Sequence, residues 1–354
     1  MSKFLNERLS GMTPYIPGEQ PKDKRYIKLN TNESPFPPSP KAQEYAKKAA
    51  EDLQLYADPE CKALRVKMAE RLGVDVDEIV LTNGSDEILN FVFLTFCDDK
   101  RPVAFPDISY GFYEVYANLY GIDATKVPLR EDFSLCADDY IGLSRTIVIA
   151  NPNAPTGLVL PLSEIERIVA GNPDNVVVID EAYVDFGNES AVSLIHKYSN
   201  LLVTQTFSKS RSMAGGRLGC GIGCKELIRD LNNVRFSTNP FNINAMTMAA
   251  GLGSLEDEAY FQDCCRAIIE NRNWTANALK ELGFRVIDSA TNFVFAAHPA
   301  IGGKELYLKL KDSGILVRHF GAARLDPFIR VTIGDEEQMR KMVAATKAIL
   351  EEYV

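Results

Sequence analysis

The sequence predicts an α/β protein: a large domain built on a mostly parallel, mixed sheet covered by helices on both faces, plus a smaller α+β domain. Three observations carry this. Continuous apolar, β-branched runs stand at Ile79–Thr82, 102–105, Thr146–Ala150, 176–179 and 201–204, and runs without polar alternation are strands buried on both faces. Patterns with a period near 3.6 lie between several of them, at 86–96, Phe112–Tyr120 and 163–170, so strand and helix alternate. After Asn239 the order changes. A long helical stretch at 257–282 leads into strands at 284–287 and 292–295. A helix at 304–313, strands at 315–318 and 329–333, and a final helix at 336–353 complete the chain. The expected division is therefore 31–239 for the large domain, and 1–30 with 240–354 for the small one. Before the first strand, Ser34–Pro40 reads SPFPPSP; proline fixes φ and keeps its predecessor out of the helical region, so this piece is extended or turning.

Composition narrows the function. The 354 residues carry 39 Lys and Arg against 48 Asp and Glu, a net charge of −9. A dedicated nucleic-acid or anionic-membrane binder needs a basic face, so neither partner is expected. Residues 1–18 lack an apolar run after their charges, and no run of about 18 apolar residues occurs, so neither a secretory signal nor a membrane span is expected. Seven cysteines without a CxxC pair, and only three histidines, argue against a Cys/His metal site. The thiols read as reduced, and the expected location is cytoplasmic.

In open α/β sheets ligands bind beyond the carboxyl ends of the strands. The first run is followed by Asn83-Gly84-Ser85-Asp86 and a helix. Such a start offers N–H groups and a positive dipole end to an anion, though Ser85 could equally be a plain cap. The third run ends in Asn151–Gly157, the fourth in Asp180-Glu181-Ala182-Tyr183 and the fifth in Gln205–Lys209. An anion-type turn, an Asn-rich turn, an acid and a lysine thus reach one rim. Most lysines are merely solvated, but Lys209 follows a buried run, where desolvation favours the neutral amine that forms Schiff bases. Asp180 is either a local cap or, at a buried strand end, an acid that needs a cationic partner. Residues 210–223 are rich in small residues and glycine. They fit neither a dinucleotide fingerprint nor a phosphate loop, whose lysine follows its glycines. They read as a flexible loop that brings Arg217 to an anion.

With these residues assembled, the sequence resembles the fold-type I pyridoxal-phosphate enzymes, and within them it is most similar to the histidinol-phosphate aminotransferases. Seven motifs occur in the family's order: Leu29–Pro35, Asn83–Glu87, Tyr110–Tyr113, Asn151–Gly157, Asp180–Tyr183, Ser208–Gly219 and Arg330–Gly334. The resemblance implies pyridoxal 5′-phosphate as cofactor, with Lys209, Asp180 and Tyr183 as catalytic residues. Lys209 holds the cofactor as a Schiff base and moves the proton between Cα and C4′; Asp180 pairs with the ring nitrogen; Tyr183 donates to O3′. Tyr110 stacks on the ring, and Gly84, Ser85, Asp86, Thr206, Ser208 and Arg217 surround its phosphate. One departure stands out. The family has Asn directly before Pro-Thr-Gly, whereas this chain has Ala154 with Asn153 one position earlier. Either Asn153 takes over the O3′ contact or the contact is missing.

The resemblance further implies that Tyr15, Asn32, Tyr56, Arg318 and Arg330 bind substrate, the two arginines by bidentate recognition of anions. Surface packing of Tyr15 and Tyr56 and a solvated Arg318 are the bland alternatives. The implied reaction converts L-histidinol phosphate and 2-oxoglutarate to imidazole acetol phosphate and L-glutamate, a step of histidine biosynthesis. An aromatic amino-acid aminotransferase and a threonine-phosphate decarboxylase are the alternatives on the same scaffold. A homodimer is implied as well, in which Tyr56 reaches the neighbouring site.

Overall fold

The computed structural model describes residues 2–6, 9 and 11–353. In chain order, β1 (Ile27–Lys28), α1 (Pro40–Ala49) and α2 (Lys62–Leu72) lead to β2 (Ile79–Thr82) and α3 (Ser85–Phe96). Then come β3 (Val103–Pro106), α4 (Phe112–Tyr120), β4 (Ala124–Val127), β5 (Thr146–Ala150), α5 (Leu162–Ala170), β6 (Val177–Asp180), β7 (Leu201–Thr206) and β8 (Gly219–Gly223). Helices α6 (Lys225–Thr238), α7 (Ala245–Leu255) and α8 (Glu258–Glu281) follow. The chain ends with β9 (Arg285–Ile287), β10 (Phe293–Ala297), α9 (Gly303–Asp312), β11 (Ile315–Leu316), β12 (Arg318–His319), β13 (Phe328–Thr332) and α10 (Glu336–Leu350).

A seven-stranded sheet in the order β2-β8-β7-β6-β5-β3-β4 carries the first half. Only β8 runs against the other six strands, pairing antiparallel with β2 on one side and β7 on the other. Because side chains alternate across a strand, Ile147, Ile149, Val177, Ile179, Leu201 and Val203 enter one core. Val148, Val178 and Leu202 enter another on the opposite face. Helices α2 and α5 cover the first face, with Leu64, Met68, Ile165 and Ile168. Helices α3, α4 and α6 cover the second, with Ile88, Tyr113 and Leu231. This is the doubly covered, mostly parallel sheet the apolar runs predicted.

A four-stranded antiparallel sheet, β12-β13-β10-β9, packs against α8, α9 and α10. The N-terminal arm joins it, β1 pairing parallel with β11. The tail of the arm continues the link, as the Thr332 N–H donates to the Leu29 carbonyl at 2.9 Å.

Two features differ from the sequence reading. Residues 210–223 were expected to be a loop, but their last five form β8. Glycine carries no strand signal, yet the position requires it: a Cβ on Gly219 would stand 2.5 Å from the Ser85 nitrogen and 2.6 Å from the Gly84 carbonyl carbon. Ile243 and Leu255, placed in the small domain by sequence, are buried in the core of the large sheet. Among the described residues no helix is long and apolar enough to cross a membrane.

Candidate active site

The carboxyl ends of β2, β5, β6 and β7 meet around a cavity of about 200 Å³. One part of its wall is built by the turn from β2 into α3. Gly84 takes φ 78, which an L side chain resists, and α3 starts at Ser85. The first-turn N–H groups have no intrahelical partner. Arg217 lies over this turn, also left-handed at φ 54, with Nη2 2.8 Å from Asp86 Oδ2. A Cβ on Gly84 would come within 2.5 Å of that guanidinium, so the glycine is what lets Arg217 seat. The Tyr110 hydroxyl donates to Asp86 Oδ1 at 2.8 Å, and burial together with this carboxylate pushes the Tyr110 phenol far above its ordinary range. From β7, Thr206 donates to the Ser208 hydroxyl at 2.9 Å and accepts from the Ser208 N–H at 3.1 Å.

Asp180, the last residue of β6, also lines the cavity and is buried at 4% exposure. Burial raises its carboxyl to about 6, against the pull of two hydroxyl donors. Tyr113 donates at 2.7 Å and Thr204 at 3.0 Å. Lys209 lines the same cavity. Its Nζ lies 3.4 Å from the Thr31 carbonyl and 5.9 Å from the centroid of the Tyr183 ring. Ala154, Tyr183 and Thr31 complete the lining.

The arginines lie next to this cavity on the side of the N-terminal arm. Arg330 is half-buried, and desolvation of its guanidinium lowers its pKa. Nη2 donates to the Asn30 carbonyl at 3.1 Å, and the guanidinium sits 5.2 Å from the Phe293 ring and 5.3 Å from the Phe320 ring. Its Nε has no partner, an arrangement that favours an anion. Arg318 stacks on the same Phe320 at 5.5 Å. Tyr15 packs on Phe112 at 4.4 Å and edge-on to Tyr110 at 6.4 Å.

The structure thus gathers Lys209, Asp180, Tyr183, Tyr110, Ser85, Asp86, Thr206, Ser208 and Arg217 around one cavity. Gly84 sits directly beneath Arg217. Three expected residues stand elsewhere. Asn153 is turned away from the lining: its amide donates to the Ile108 carbonyl and the Thr156 hydroxyl, both at 3.0 Å, and accepts from Ser109 at 2.9 Å. With its capacity spent, it does not replace the missing Asn, and position 154 presents a methyl group. Asn32 is buried and bonded to Tyr183 at 2.9 Å. Tyr56 is 84% exposed and stacked on Phe241 at 4.5 Å, away from this cavity. Sequence reasoning gave no role to Tyr113 or Thr204. Thr204 sits directly across the ladder from Asp180, so strand register alone could have found it. Tyr113 lies in the first turn of α4, three positions after Tyr110.

A lysine, a buried acid and an anion seat at the strand ends of a doubly covered α/β sheet define a group-transfer enzyme that works through a carbonyl cofactor. The chain belongs to the class I and II aminotransferases, whose family model matches residues 24–345. It is 49% identical over 356 residues to histidinol-phosphate aminotransferase of Brachyspira hyodysenteriae, covering 99% of each chain. It is 47% identical to the enzyme of that name from Marinomonas sp., covering 99% of this chain and all of the other. Among solved structures, histidinol-phosphate aminotransferase from Clostridium acetobutylicum superposes with a TM-score of 0.85 at 26% identity, over 92% of this chain and 99% of that one. The fold is also that of the Sinorhizobium meliloti histidinol-phosphate aminotransferase, solved with pyridoxal-5′-phosphate, at a TM-score of 0.89, 24% identity and coverage of 100% and 99%.

Proposed function

We propose that this aminotransferase transfers the amino group of L-histidinol phosphate to 2-oxoglutarate, with pyridoxal phosphate held in the cavity between Lys209 and Asp180. The observation that carries the reading is this pair facing one cavity, together with full-length relatives of that name at 47–49% identity. The residues fit the cofactor: Gly84 lacks the Cβ that would displace Arg217, and the start of α3 suits a phosphate. When bound, pyridoxal phosphate supplies an electron-accepting ring that stabilises negative charge at the donor's Cα.

The chain's own groups do the rest. Asp180, fixed by Tyr113 and Thr204, supplies a carboxylate for a ring nitrogen and keeps it protonated. Tyr183 donates its phenol proton toward the ring oxygen, and Tyr110 packs on the ring face. The Lys209 Nζ takes the proton from the donor's Cα. Arg330, with one unpartnered N–H, and Arg318 receive the anionic groups of the two substrates, with Tyr15 closing over them. We further propose a homodimer in which Tyr56 completes the neighbouring site; its exposure and that of Leu53, Leu55 and Phe241 support this.

The test is a donor panel under identical 2-oxoglutarate. L-Histidinol phosphate is expected to give a kcat/KM at least about tenfold above phenylalanine and tyrosine. Equal or lower values overturn the substrate reading, and carbon dioxide release without consumption of 2-oxoglutarate selects the decarboxylase instead. Lys209→Ala is expected to abolish transamination with an unchanged circular dichroism spectrum.

A further inference from the structure

Asn32 is tied to the C-terminal sheet at three points. Its N–H donates to Thr332 Oγ1 at 2.9 Å, its Oδ1 accepts from the Thr332 hydroxyl at 3.0 Å, and its carbonyl accepts from Asn292 Nδ2 at 3.0 Å. A fourth bond leaves toward the cavity, from Nδ2 to the Tyr183 hydroxyl at 2.9 Å. Asn32 and its two anchors, Thr332 and Asn292, are all buried. Asn32 is held at φ 55, a left-handed conformation that Asn tolerates better than most side chains. Proton counting fixes the direction of its amide. The Thr332 oxygen already accepts from the Asn32 N–H, and its own proton goes to Oδ1; with the amide reversed, that buried proton would lose its acceptor.

We propose that Asn32 is a positioning residue for Tyr183, and that its side chain serves this task rather than contact with substrate. An amide nitrogen only donates, so the Tyr183 oxygen accepts from Asn32 and its single proton is left to donate into the cavity. The ring is held from the same sheet, edge-on to Phe293 at 5.3 Å. Ala154, packed in the cluster that contains Tyr183, adds only a methyl group. The orientation of this phenol therefore depends on β13, through Thr332 and Asn32.

The inference rests on the reading that the cavity holds pyridoxal phosphate. A donor at the anionic ring oxygen withdraws charge from it, so a neighbouring protonated nitrogen releases its proton at lower pH. The experiment is a spectrophotometric pH titration of the visible cofactor band in the holoenzyme. Tyr183→Phe is expected to raise the midpoint, Asn32→Ala to raise it by about half a pH unit or more, and the double variant to match Tyr183→Phe alone. Thr332→Val, which leaves Asn32 in place, is expected to shift it the same way by less. A midpoint that moves with Tyr183→Phe but ignores both Asn32→Ala and Thr332→Val overturns the proposal, as do additive shifts. A wild-type protein without a visible band overturns the cofactor reading and this proposal with it.

Discussion

Asp180 ordinarily would titrate at 3.8, but burial raises it to about 6 in the folded apoprotein. Between those values the folded state binds the proton more tightly than the unfolded chain does. Unfolding then releases protons, and stability falls as pH rises from about 4 to 6, levelling off above. Asp180→Asn removes that slope. Measured by urea unfolding of the apoprotein, the variant is expected to gain on wild type by up to about 3 kcal/mol between pH 3.5 and 7. Glu181, raised to about 7 by burial, is present in both proteins and cancels in the difference. Parallel stability curves would show that Asp180 does not titrate in this window. Single residues were unevenly legible in the sequence. Lys209 and Asp180 stand at the ends of apolar runs, so their place on the rim follows from position along the chain. Asn153 could not be placed that way, because what spends its amide is Ile108 and Ser109, more than forty positions earlier.

Elements with continuous β-branched runs, such as β5 and β6, were readable because burial on both faces writes itself into composition. The strand that completes the anion seat was not. In β8 the residues Gly219, Gly221 and Gly223 provide closeness instead of side-chain packing, and closeness leaves no hydrophobic signature. Helix α7 was missed for a related reason: AMTMAAGLGSL has no polar face to mark a period. The role of β8 can be tested at Gly219. A Cβ there meets backbone atoms of the 84–85 turn at 2.5 and 2.6 Å, and backbone cannot yield as a flexible side-chain end can. Gly219→Ala is expected to cost about 1–3 kcal/mol of stability and to weaken pyridoxal phosphate binding, read by equilibrium dialysis. Gly215→Ala, with nothing within 4 Å of the added atom, is the control and is expected to stay close to wild type. Equal behaviour of the two variants would mean the close approach of β8 to α3 does not shape the seat.

At the scale of the whole molecule, the residues proposed to face substrate come from both ends of the chain. The arm bearing Tyr15 is strapped to the C-terminal unit by β1, by Lys24 donating to the Asp312 carbonyl at 2.9 Å, and by Glu19 against Lys311 at 2.5 Å. That strap places Tyr15 near Tyr110 within one chain. Tyr56 has no such tie: it lies exposed on Phe241, and the proposed dimer gives it a part in another copy's site. Subunit mixing separates the two cases. A Lys209→Ala subunit keeps a sound Tyr56, and a Tyr56→Ala subunit keeps a sound Lys209. If Tyr56 crosses the interface of a symmetric dimer, each mixed dimer holds one site with both groups intact. Random reassortment then restores about a quarter of wild-type activity, because half the dimers are mixed and one of their two sites is whole. If Tyr56 acts on its own subunit's site or on none, mixing gives only the average of the two variants. That result, or a monomer by light scattering, would overturn the shared-site arrangement while leaving the roles of Lys209 and Asp180 untouched.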